Sequence, residues 1–385
     1  MNRIPGITQA LTHIDQERLE QRLVDMVNIY SPSYAEGPLL EYLEKICMAQ
    51  GLGYYKQPVE GGLYNLILTV GSGTPNFFLL GHVDTIPYNH MSTHTARREG
   101  NTLHGLGAAD MKSGVAAMIE ALFAVQEAGY PNDAPALGVG LLVDEEDGGT
   151  GIEQFVQDYQ PSMAIVGEPT GMAICNVHYS YLELSLETKG KRVHSALTEH
   201  GQNAILSLMQ VIQDLYHMDV PEDTGEANAC VINLRDMNSH NQDFVVPPNC
   251  HAWLDIHLHP KLSVSAFQEA AEGVFQRWQS DPQTADLTYK WHMCFTGFSI
   301  QKGEPIQKLL SEAVEATQLG EQNSIFRSHS DANLLVENGT RCVVIGPGEL
   351  ETAHTANECV KLSDLHDAAT FYLASLLSHA RSIQK

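Results

Sequence analysis

Leu19, Leu23, Met26, Val27 and Tyr30 recur at helical spacing, which predicts an amphipathic helix over about Asp15–Tyr30. Ser31-Pro32-Ser33 ends it, because the residue before a proline is pushed out of the helical region. A second helix is expected over Gly37–Gln50. The period then changes. Tyr64–Val70 and Asn76–Leu80 read as strands, and a helix follows the glycine-rich turn at about Ser113–Ala128. Leu137–Val143 and Met163–Val166 are short unbroken apolar runs, the pattern of buried strands, with a short helix near Ile152–Tyr159 between them. From Tyr181 to Thr188 the chain alternates, with Leu182, Leu184 and Leu186 on one face. A helix over Asn203–Tyr216, strands at Cys230–Leu234 and Ala252–Leu258 and a helix near Val264–Gln279 follow. The order strand, helix, strand, strand, helix, strand is that of a small ferredoxin-like sandwich. An inserted α+β domain is therefore expected at 179–294, within an α/β domain formed by 1–178 and 295–385. That outer domain resumes with a helix near Ile306–Thr317, a strand at Arg341–Ile345 and a final helix over Leu362–Arg381.

Composition narrows the class. A chain of 385 residues favours two domains. Its 47 acidic against 22 basic residues give a formal charge of -25, which argues against nucleic acid and against an anionic membrane surface. No apolar run is long enough to span a bilayer, and Met1–Gln16 has no apolar core of signal-peptide length. The seven cysteines are odd in number, scattered and free of any CxxC pair, which fits reduced thiols and a cytoplasmic protein.

The chemistry concentrates where apolar strands end. Asp144-Glu145-Glu146-Asp147 follows the run Leu137–Val143 with no basic residue beside it. Either water solvates these acids on a surface loop, or a cation compensates them. Adjacent side chains of an extended segment point to opposite sides, so Glu145 and Glu146 can do different jobs. His82 and Asp84 share one face of an extended segment and form either a structural pair or a metal ligand with its orienting carboxylate. Asp110 sits at the mouth of the glycine-rich turn Gly105–Gly114, as a helix cap or as a ligand. Glu168 closes the strand Met163–Val166, and His354 follows Gly346-Pro347-Gly348. Two histidines and three carboxylates, His82, Asp110, Glu146, Glu168 and His354, suit a pair of divalent ions, zinc foremost.

These motifs resemble, in order, those of the dizinc peptidases and deacylases that include acetylornithine deacetylase, succinyl-diaminopimelate desuccinylase and glutamate carboxypeptidase. The matching segments are Gly81–Pro87, Gly107–Lys112, Asp144–Glu146, Gly167–Thr170, His194-Ser195 and His354–Glu358. The resemblance implies a mixed-sheet α/β zinc-peptidase domain carrying an inserted ferredoxin-like lid and dimerisation domain. It implies that His82, Asp110 and Glu168 hold one zinc and that Asp110, Glu146 and His354 hold the other, with cobalt or manganese as substitutes. Asp84 would orient His82, and Glu145 would be the general base of an amide hydrolysis. His194 would steady the oxyanion, often across a homodimer. The peptide between Asp110 and Met111 would be cis.

Two positions depart from the family. Phe244 stands where an asparagine is expected, and His257 stands where an arginine usually grips the substrate carboxylate. His cannot reproduce that bidentate fork. His257, Arg327 and Asn333 are the candidate substrate contacts. The expected activity is removal of an N-acyl group from an amino acid or its derivative. The rival is a zinc carboxypeptidase or dipeptidase acting on a short peptide. A remoter rival, a non-catalytic metal-binding homologue, would lack a ligand or Glu145, and all are present.

Overall fold

The structure is a computed structural model that describes residues 4–89, 93–220, 225, 228–240, 243–281, 284–320 and 322–383. The chain forms two compact units. The first comprises the chain up to Asn176, Ile300–Phe326 and the chain from Ser330 onward. The second comprises Val177–Ser299 and Arg327–His329. Each has its own hydrophobic core.

The first unit is built on a mixed sheet. Its order is Gly53–Pro58, Tyr64–Val70, Leu137–Leu142, Phe77–His82, Met163–Val166, Arg341–Val344 and Ile174–His178. Phe77–His82 runs parallel to both its neighbours, Leu137–Leu142 and Met163–Val166. Arg341–Val344 runs parallel beside Met163–Val166. The strands Phe77–His82 and Leu137–Leu142 are buried at every position, which is why they read as unbroken apolar runs. Four neighbouring parallel strands therefore end at the same edge of the sheet, where open α/β sheets bind their ligands.

The helix Lys112–Glu127 is buried almost throughout and packs against the last helix, Leu362–Ser382. Gly114 allows its first turn to approach the sheet. A Cβ there would lie 2.4 Å from the Gly167 carbonyl oxygen. The same helix is tied to the helix Gln16–Asn28 by charge. Glu120, fully buried, accepts from Arg18 Nη2 at 2.6 Å and from Arg22 Nη1 at 3.0 Å. A small sheet of Arg97–Glu99, Thr102–His104 and Cys359–Lys361 brings the chain that follows His354 beside the chain that leads to Asp110.

In the second unit the strand order is Cys230–Asn238, Asn249–Leu258, Ser180–Lys189 and Asp286–Phe295, all antiparallel. The helices Ala204–Tyr216 and Val264–Gln279 cover one face. Leu182, Leu184 and Leu186 meet Leu254, Ile256, Leu208 and Phe267 in that core. This is the ferredoxin-like arrangement that the alternation predicts.

The units differ in detail from the division 1–178 and 295–385 against 179–294. Arg327–His329 group with the second unit because the His329 ring lies 4.8 Å from Phe295 and 5.4 Å from Tyr181, with Arg327 over the Tyr179 ring at 5.9 Å. The helix Ile7–Leu11 and the strands Gly53–Pro58, Ile174–His178 and Asn323–Phe326 have no counterpart among the expected elements. They are short or lack a regular apolar period, so periodicity does not reveal them.

Candidate metal centre

The sheet edge gathers the acids and histidines. Leu137–Leu142 hands over to Asp144-Glu145-Glu146, Phe77–His82 ends on His82, and Met163–Val166 leads to Glu168. His82 is buried, and its Nδ1–H donates to the main-chain oxygen of Asp84 at 3.1 Å. That bond fixes the tautomer and turns the Nε2 lone pair toward Asp110 Oδ1, 3.1 Å away. Two lone pairs facing each other at this distance need a proton or a cation between them. The other oxygen of Asp110 lies 3.4 Å from His354 Nε2, which in turn is 3.0 Å from Glu146 Oε2. Glu145 Oε2 and Glu168 Oε2 each lie 3.9 Å from His82 Nε2. Glu168 Oε1 is buried without a hydrogen-bond partner among the described residues.

His82, Asp110 and Glu146 can each offer one ligand atom within 4.8 Å of the others. The electrostatics agree with a missing positive charge. Burial, with the Asp110 charge adding to it, pushes Glu146 up to about 7 and Glu168 well above the usual carboxylate range. Burial also raises Glu145 to about 7. Burial opposes a charge on His354, yet hydrogen bonds to Asp110 and Glu146 hold it up at about 11. A divalent cation supplies that charge better than protons do, and imidazole with carboxylates is a donor set that zinc accepts.

The Asp110–Met111 peptide is cis, and Asp144 and His354 adopt left-handed backbone angles, φ 61° and φ 58°. Asp144 does not face the cluster. Its carboxylate accepts from Gly148 N at 3.0 Å and Thr150 Oγ1 at 2.6 Å, while its own N–H donates to Glu36 Oε1 at 3.0 Å. Asp110 does not cap the helix Lys112–Glu127, whose N-cap is Met111.

Asp84 does more than its spacing suggests. Its carboxylate Oδ1 is 3.4 Å from His82 Nδ1, so the closer partner of the ring is the Asp84 carbonyl. The carboxylate accepts the main-chain N–H of Glu145 at 3.2 Å and of Glu146 at 3.0 Å, and the Ser33 hydroxyl at 2.8 Å. It thereby fixes the peptide from which both glutamates project. Glu358, left without a role by the sequence, accepts the N–H groups of Ala109 and Asp110 through one oxygen.

His194, His257 and Arg327 lie in the second unit. His257 pairs across the sheet with Tyr181, and its Nδ1 is buried without a hydrogen-bond partner among the described residues. Burial and the nearby His329 and Arg327 charges lower its proton affinity, against the pull of Asp255. Asn333 belongs to the first unit, is fully buried, and accepts from Ser330 N at 3.2 Å. It holds the turn that opens the helix Ala332–Glu337. Phe244 is 87% exposed.

Residues 78–378 match the model of peptidase family M20/M25/M40. Among relatives, an acetylornithine deacetylase of Pectobacterium carotovorum subsp. carotovorum (strain PC1) is 28% identical over 331 residues, spanning 79% of this chain and 81% of its own length. A putative [LysW]-lysine/[LysW]-ornithine hydrolase of Aeropyrum pernix is 28% identical over 364 residues, spanning 92% of this chain and 93% of its own. A tripeptidase from Staphylococcus aureus subsp. aureus Mu50 superposes with a TM-score of 0.80 at 20% identity, covering 96% of this chain and 100% of that one, which shows the shared fold. The ordered motifs, the fold and the match over most of the chain lead to one conclusion: the chain belongs to peptidase family M20/M25/M40, whose members are hydrolases of amide bonds.

Proposed function

We propose that this chain is a zinc-dependent hydrolase that removes an N-acyl group from an amino acid or its derivative. The observation that carries the reading is Asp110, whose two oxygens each face a histidine Nε2. A carboxylate so placed suits two cations, one held by His82 and Glu168, the other by Glu146 and His354. Zinc fits the donors, with cobalt or manganese as substitutes; bound there, the pair would supply Lewis acidity to the scissile amide.

Glu145 is the general base. It takes the proton of the attacking water and passes it to the leaving amine. Burial raises its proton affinity, and cations bound beside it would lower it. Asp84 holds the base in place through its amide. His194 is assigned the oxyanion on the strength of the family resemblance. The relatives named as deacetylase and as lysine or ornithine hydrolase support an acylated amino acid as substrate. For its carboxylate we favour Arg327 over His257. The guanidinium is always charged, whereas the buried imidazole of His257 resists protonation. We further propose a homodimer through residues 179–294, where Leu206, Met209 and Tyr216 lie exposed at helical spacing along Ala204–Tyr216. Seven unpaired cysteines support a reducing, cytoplasmic setting.

The test is an assay of N-acetyl and N-succinyl amino acids and of dipeptides on protein purified without chelator, with zinc or cobalt added. N-acyl amino acids should be hydrolysed, and Glu145→Gln should cut turnover by several powers of ten with metal content unchanged. Turnover of dipeptides alone would move the assignment to a carboxypeptidase or dipeptidase. Loss of metal from Glu145→Gln but not from Glu146→Gln would exchange the roles of the two acids.

A further inference from the structure

The loop that bears His354 and the turn that bears Asp110 come from distant parts of the chain, and Glu358 joins them. Its side chain is 2% exposed. One carboxylate oxygen, Oε1, accepts from Ala109 N and from Asp110 N, each at 3.0 Å. Its main-chain oxygen accepts from Gly105 N at 3.2 Å, and its own N–H donates to Thr355 O at 3.2 Å. Directly after it, Cys359 pairs with His104 in the small sheet. Glu358 therefore grips the Asp110 turn from the segment that carries His354, four residues earlier.

That grip matters because of where Asp110 stands. Its two oxygens face His82 and His354 at 3.1 and 3.4 Å, so a small rotation of its backbone would spoil both contacts. The N–H of Asp110 is the group nearest its Cα that can be clamped, and Glu358 clamps it. We propose that Glu358 is a positioning residue that sets the affinity of the metal centre by fixing the backbone of Asp110 against the His354 loop. The proposal rests on the reading of this cluster as a metal centre. It concerns a residue that carries no metal itself. Buried main-chain donors would find an acceptor in many loops, and a merely structural role would appear as lost fold stability with metal binding unchanged.

The experiment titrates metal-free protein with cobalt(II), reading affinity by chelator competition and geometry by the visible ligand-field spectrum. Thermal unfolding of the metal-free forms is recorded alongside. Glu358→Ala should bind cobalt about 10- to 100-fold more weakly than wild type, with a shifted spectrum at saturation. Glu358→Gln keeps an oxygen acceptor and should stay within about threefold of wild type. Leu43→Ala, a buried change in the helix Gly37–Gln50, should lower the unfolding temperature while leaving cobalt affinity and spectrum as in wild type. Should Glu358→Ala fail to fold, Glu358→Asp reads the same quantities. Its shorter side chain cannot serve both N–H groups, so affinity should fall severalfold. Wild-type affinity and spectrum in the Ala or Asp variant would overturn the proposal. Absence of cobalt binding by the wild type would overturn the metal-centre reading instead.

Discussion

His379 shows how a single residue can set the response of this protein to acid. It lies in the helix Leu362–Ser382 with its ring stacked on Phe77 at 5.1 Å, and both ring nitrogens are buried without a hydrogen-bond partner among the described residues. Burial lowers its pKa from the ordinary 6.5 to about 4. Below pH 6.5 the unfolded chain gains a proton here that the folded chain refuses until about pH 4. Stability from this residue is thus complete above 6.5 and is lost as pH falls through that window. His379→Phe keeps a ring against Phe77 and removes the titration. Its urea midpoint should drop less than that of wild type between pH 7 and pH 5, and equal drops would refute the argument. Residues of this kind are illegible in sequence. One histidine among eighteen carries no mark of being buried without partners. The same holds for the hold of Asp84 and Glu358 on main-chain N–H groups, which turns place; only the pairing of Asp84 with His82 shows in the spacing. The proposed ligands are different, because His82, Glu146 and Glu168 follow apolar strands while Asp110 and His354 stand in or after glycine-rich turns.

At the scale of elements, the contact between Gln16–Asn28 and Lys112–Glu127 rests on a buried charge cluster. Arg22 is 4% exposed, and Glu120 is its carboxylate partner. Glu120 also accepts from the amide of Asp15, the residue that caps the helix Gln16–Asn28. Glu120→Leu would leave Arg22 buried with no counter-charge there. Such an orphaned charge costs about 3–5 kcal/mol, far more than an exposed pair contributes. Denaturant unfolding should show a lower midpoint with the slope unchanged. A change below about 1 kcal/mol would mean that water reaches Arg22. Elements with a strong period were legible to within a few residues. The expected Asp15–Tyr30 is the helix Gln16–Asn28, and Val264–Gln279 is found as expected. Gly53–Pro58 escaped because it lies at the sheet's edge with one buried residue, Gln57, and so has no apolar signature. Arg327–His329 escaped because only tertiary ring packing assigns it to the second unit.

For the whole molecule, two separate cores predict two thermal transitions, with all five proposed ligands belonging to the first unit. Zinc at a hundredfold excess over its dissociation constant should stabilise that unit by about 2.7 kcal/mol, and a chelator should withdraw the gain. Calorimetry with and without chelator should move one transition and leave the other in place. Movement of both by the same amount would show that the units unfold together. The first unit is also discontinuous in the chain. His82, Asp110, Glu146 and Glu168 precede the second unit, and His354 follows it. On a ribosome the second unit, almost entirely one continuous stretch, can fold as soon as it emerges, while the sheet of the first still awaits Arg341–Val344. At roughly 5–20 residues per second, Glu168 leaves the ribosome on the order of ten seconds or more before His354 does. Throughout that interval a nascent chain carries four of the five proposed ligands with no Glu358 to grip Asp110. The complete set of proposed ligands thus first exists in the released chain, and a chain terminated before His354 should hold cations more weakly than the whole protein does.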